Sequence, residues 1–65
     1  MLSISSYARR RGVASSTVRR WLAELVGDLQ LGEIRELDRG TLPEVSAVER
    51  TVGGHYRLKI VAQVA

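Results

Sequence analysis

The chain has 65 residues, no cysteine, 45% hydrophobic content and a formal net charge of +3. That length supports one domain with a small core, which argues against a deep catalytic pocket, and the lack of thiols excludes disulfides and thiolate metal sites. The charge is uneven: residues 1–26 hold five arginines against one glutamate, a balance of +4, whereas residues 27–65 hold five Lys/Arg against six Asp/Glu, a balance of −1.

Ser3 is a suitable N-cap for a first helix over residues 4–11. Ile4, Tyr7, Ala8 and the stem of Arg11 recur on one face of it at i, i+3, i+4 and i+7. Gly12 is the expected stop, with φ > 0, and Val13 and Ala14 make the turn. Ser15 or Ser16 then caps a second helix running to about Val26, with Gly27 as its stop. Val18, Trp21, Leu22, Leu25 and Val26 form its apolar stripe, and Trp21 is the expected core anchor. Arg19, Arg20 and Glu24 lie off that stripe. Tyr7 and Tyr56 are expected to be core residues too.

Residues 28–43 fit either a short helix from Asp28 or a short strand over 33–37, and we favour the strand. Pro43 ends any helix before it. Farther on, HYRLKIVA alternates: His55, Arg57 and Lys59 fall on one face, Tyr56, Leu58, Ile60 and Ala62 on the other. Gly53-Gly54 is a two-residue turn signal that joins this strand to the Val- and Thr-rich run before it. A two-residue loop sets Val45, Ala47, Glu49 and Thr51 beside the Tyr56 face, a three-residue loop sets Val48 and Val52 there, and a bulge reconciles the two. A helix over 43–52 is the rival reading.

Residues 2–22, LSISSYARRRGVASSTVRRWL, resemble the excisionase and MerR-like winged helix-turn-helix group. The matching positions are Ser3, Ala8, Gly12, Ser16, Thr17, Val18, Arg19, Arg20 and Trp21, and the string TVRRW is particularly similar to phage excisionases. A weaker likeness lies in the Gly40 to Pro43 string GTLP and the later HYRL, similar to the entry and exit of the family's wing. In the family that entry follows the second helix within a few residues, whereas here residues 27–39 intervene. The resemblance implies a small α+β fold, one winged helix-turn-helix domain over 1–65: helices within 3–26, a connector over 27–43, and a hairpin wing or small antiparallel sheet over 44–63.

It also implies roles. The start of the second helix would enter the major groove, with Ser16, Thr17, Arg19 and Arg20 at base edges or phosphates. Ser16 or Thr17 could equally serve only as a cap. Arg9, Arg10 and Arg11 would hold phosphates, against the plainer reading of a solvated helix face. His55, Arg57 and Lys59 would decorate the wing, unless theirs is an ordinary solvent-facing strand. The partners implied are double-stranded DNA, further copies on the DNA, and an integrase or recombinase whose direction the protein sets by bending a site.

A small phage or plasmid repressor or antitoxin-like autoregulator is the alternative within DNA binding. A protein-interaction module, self-associating through the edges of the C-terminal strands, is the alternative of another class. No nucleophile–base pair, acidic dyad or phosphate loop stands in the sequence, so the expectation is a non-enzyme with no cofactor, metal or small-molecule effector. No apolar run is long enough to cross a membrane, and MLSISS does not have the plan of a signal peptide, so a cytoplasmic, nucleoid-associated protein is expected.

Overall fold

The computed structural model describes residues 1–38 and 40–61. Helix α1 (Ile4–Arg11) begins where Ser3, in extended conformation, accepts the Ser6 backbone N–H on its hydroxyl oxygen at 3.1 Å. It ends on Gly12, whose φ of 71° puts it in the left-handed region. There the Gly12 N–H donates to the Arg9 carbonyl and the Val13 N–H to the Ala8 carbonyl, at 3.2 and 3.0 Å. This crossed pair satisfies two carbonyls that the helix end leaves open.

Helix α2 (Ser15–Val26) starts differently from the expectation. The cap position falls on Ala14, which has no side chain to cap with, and Ser15 and Ser16 are the first helical residues. Because the crossed bonds at Gly12 fix Val13, Ala14 is left as the extended residue, and its carbonyl receives the Thr17 and Val18 N–H groups. Gly27 stops α2 without leaving the right-handed region, at φ −62°. Glycine is needed there for room: a Cβ would run into the Ala23 carbonyl oxygen.

Four short strands complete a small α+β fold: β1 (Leu2–Ser3), β2 (Ile34–Glu36), β3 (Val45–Arg50) and β4 (Tyr56–Ile60). They form one antiparallel sheet in the order β1-β4-β3-β2. The strand favoured within 33–37 is therefore present as β2, whereas β1 has no counterpart in the sequence reading. The rival helix over 43–52 gives way to β3.

A bulge between Val45 and Ala47 settles the hairpin register, with Val45 opposite Ile60, Val48 opposite Leu58 and Arg50 opposite Tyr56. The irregularity lets both Val45 and Val48 be buried on a strand where strict alternation would separate them. Gly53-Gly54 is not a two-residue turn. The loop runs from Thr51 to His55, closed by Thr51 N–H to His55 carbonyl at 2.7 Å, Gly54 N–H to Thr51 carbonyl at 2.9 Å and His55 N–H to Thr51 Oγ1 at 3.0 Å. Val52 stands at its tip, 81% exposed, and does not join the core. Ala62 and the expected hairpin end at 63 lie outside the described residues, as does Arg39 of the connector.

One face of the sheet packs on the helices. Tyr7 and Ala8 of α1, Val18, Leu22 and Val26 of α2, Leu29 and Leu42 of the connector, and Val45, Val48 and Leu58 of the hairpin are buried together. Trp21 is not the anchor it was expected to be: it is half-buried and flanks this cluster, and Leu25 is 39% exposed. The buried stripe of α2 is the narrower i, i+4, i+8 line of Val18, Leu22 and Val26, because the small sheet covers only that width. Tyr56 is likewise half-buried, its ring lying 4.9 Å from the Arg50 guanidinium and its hydroxyl oxygen accepting from Arg50 Nη1 at 2.7 Å.

Candidate nucleic-acid interface

The arginines of residues 1–26 divide into two sets. Arg9, Arg19 and Arg20 are exposed, and among the described residues none of them takes part in an ion pair. Arg10 and Arg11 converge on Glu44: Arg10 Nη2 lies 2.7 Å from Oε2 and its Nε donates to the same oxygen at 2.8 Å, while Arg11 Nη1 lies 3.4 Å from Oε1. Nothing in the sequence pattern announced this partner, which is more than thirty residues away.

The segment carrying Glu44 is fixed both to α1 and to the residue that follows β4. The buried Tyr7 hydroxyl donates to the Pro43 carbonyl at 2.7 Å. Glu44 itself has a φ of 68°, in the left-handed region that an L side chain occupies at a cost of roughly 1–2 kcal/mol. Its carbonyl accepts the Val61 N–H at 2.7 Å. Burial pushes the Tyr7 hydroxyl pKa up; the Arg11 charge opposes that shift and the Glu44 charge adds to it.

Ser16 is exposed and Thr17 half-buried on the first turn of α2, neither of them acting as the cap. Arg19, one turn on, faces a groove of about 980 Å³. Ser3 and Ser5 from the start of the chain, Gly53 and His55 from the hairpin loop, and Arg57 also line it. The fold thus brings the first half of α2 and the tip of the hairpin to one surface, with Arg19 between them.

The three residues expected on a wing divide between the hairpin loop, which holds His55, and β4, which holds Arg57 and Lys59. Val48 and Leu58 are directly paired and fully buried on the helix side. Their strand neighbours Glu49, Arg57 and Lys59 therefore project from the opposite face of the sheet. There Arg57 sits across from Glu49, and Lys59 across from Ala47, whose other neighbour is Glu36. Arg57 thus has an acidic residue opposite it, neither cation takes part in an ion pair among the described residues, and His55 is the one ionisable side chain of the loop.

Comparison with protein-family models, with curated proteins and with solved structures gave no match.

Proposed function

We propose that this chain binds double-stranded DNA in a sequence-specific manner as a small winged helix-turn-helix, with α2 as the reading helix. The observation that carries the reading is the set of exposed arginines without acidic partners, Arg9, Arg19 and Arg20, on two helices joined by the left-handed Gly12 turn. Arginine suits the role because its planar fork matches phosphate and guanine with two hydrogen bonds. Arg19 and Arg20 enter the major groove, Arg9 holds the flanking backbone, and Ser16 and Thr17 offer hydroxyls at the amino end of α2. The hairpin loop, beside Arg19, lies along the neighbouring backbone.

Within this reading the protein is an excisionase-like architectural factor. The likeness of residues 2–22 to that group supports this role. Its action is to bend the duplex and so favour one direction of a recombinase.

Selection from a random duplex pool tests the first step. The expected result is enrichment of a discrete motif by the wild type and loss of that enrichment by the Arg19→Ala/Arg20→Ala double variant, with unchanged thermal stability. Wild-type enrichment of no motif overturns sequence-specific binding. Fluorescence energy transfer across the selected site then reports bending, and a straight duplex in the complex overturns the architectural role.

A further inference from the structure

The antiparallel ladder between β2 and β3 determines which backbone groups of β2 are used. The Glu33 carbonyl accepts the Arg50 N–H and the Leu37 N–H donates to the Ser46 carbonyl, so the Glu33 carbonyl, the backbone groups of Arg35 and the Leu37 N–H face β3. Ile34 and Glu36 turn theirs away. Since β2 is the last strand of the sheet, that outer edge has no strand beside it among the described residues. By contrast, β3, one of the edges the sequence suggested for self-association, lies between β4 and β2, and β4, the other, is met on its far side by β1 at Arg57 and Leu58, with 62–64 outside the described residues.

Exposed aliphatic side chains lie beside the open edge. Leu31 and Ile34 are both 59% exposed, and Val52, 81% exposed, approaches Gly32 from the hairpin loop. An edge of free N–H and C=O groups beside exposed aliphatic side chains is a template for another strand.

A second copy of β2 can add antiparallel in only three symmetric registers, because the paired residues must be Ile34 or Glu36. Pairing Glu36 with Glu36 sets like charges directly opposite. Pairing Ile34 with Glu36 sets Arg35 opposite Arg35. Pairing Ile34 with Ile34 puts the two isoleucines together and sets Glu33 opposite Arg35 on both sides of the axis. Opposite charges in directly opposed positions stabilise a ladder and like charges destabilise it. Within each copy Arg35 makes a two-pronged contact with Asp28, at 2.8 and 3.0 Å, and Glu33 accepts the Gln30 backbone N–H at 2.9 Å, so both side chains are held beside the edge.

We infer that the protein self-associates through β2, antiparallel, with Ile34 facing Ile34 of the second copy, to give a continuous eight-stranded sheet across a two-fold axis. This does not rest on DNA binding, and it is tested without DNA.

The chain has no cysteine, so single cysteines report register directly. Opposed residues of a hydrogen-bonded antiparallel pair have Cα atoms about 5.5 Å apart, within disulfide range. In the stated register Ile34→Cys therefore oxidises to a disulfide-linked dimer. Glu36→Cys does not, because residue 36 then faces Gly32, and its own counterpart is about 13 Å farther along the strand. Both side chains are exposed, so neither change threatens folding. In the cysteine-free chain, sedimentation equilibrium should show a concentration-dependent dimer, and Ile34→Lys should raise its dissociation constant about tenfold. A wild type that stays monomeric, an Ile34→Cys chain that does not cross-link, or equal cross-linking of both cysteine variants overturns the proposal.

Discussion

Replacing Glu44 with glutamine isolates what the α1 arginines would contribute to the proposed DNA binding. Glutamine keeps the size and the left-handed backbone of the position but removes one negative charge. In the wild type, Arg10, Arg11 and Glu44 together carry one net positive charge, and Arg9, Arg19 and Arg20 add three. Each phosphate neutralised adds about −0.9 to the slope of log K against log salt, so the charge that glutamine frees should steepen the slope by about 0.9. At 0.1 M salt that corresponds to a gain in affinity of up to about eightfold. The cost in stability is small: the paired side chains are 49%, 36% and 30% exposed, and such surface pairs are each worth about 0.2–1 kcal/mol. Fluorescence anisotropy on the selected duplex, titrated from 50 to 200 mM salt, reads both quantities. An unchanged slope and affinity would show that the end of α1 faces away from DNA and refute the expectation, drawn from the sequence, that Arg10 and Arg11 hold phosphates.

Three further changes probe the fold that presents this surface. Tyr7→Phe removes the bond to the Pro43 carbonyl and should lower unfolding stability by about 1 kcal/mol in urea titration. Because burial raises the Tyr7 pKa in the folded state, its contribution is complete below about pH 10 and lost as pH climbs through the folded value, so the phenylalanine variant should show a flatter alkaline limb of stability. The hydrogen bonds from Arg35 hold the Asp28 carboxyl below its usual range; its contribution is present above about pH 3.9 and lost as pH falls through the folded value, and Asp28→Asn should flatten the acid limb of a thermal-melt series. Leu58→Ala, at a fully buried position, should cost about 2–5 kcal/mol, enough in a domain of this size to leave little cooperative transition by circular dichroism.

The helical half of the fold was legible because its signals are local. Ser3, Gly12 and the spacing of Ile4, Tyr7 and Ala8 act within one or two turns, so α1 could be bounded to the residue. The cap of α2 was misread because two serines stood next to Ala14, and the choice among them depends on the backbone bonds made at Gly12. In the hairpin, alternation placed Arg57 and Lys59 on one face correctly. It could not reveal that Glu49 and Glu36 share that face, since pairing partners depend on a bulge and on a third strand. β1 was invisible: two residues carry no periodicity, and Leu2 becomes a strand residue only through Leu58. The same holds for Glu44. Its left-handed backbone and its hold on Arg10 and Arg11 come from a contact made across the whole domain, with no composition signal at the position itself.

The pairing of Leu2 with Leu58 has a consequence for the order of folding. α1 and α2 can form from contacts close in sequence as soon as residue 26 has been made. The sheet cannot be completed until the last strand exists to receive the first, and that contact closes one of the longest loops the chain contains. Since loop closure must precede the gain from pairing, β1 should join last and leave first. Hydrogen exchange should therefore find the β1 amides among the first to open, while the Val48–Leu58 layer stays protected. The groove beside Arg19, walled on one side by those first residues, would then be the last part of the surface to take shape in a newly made molecule.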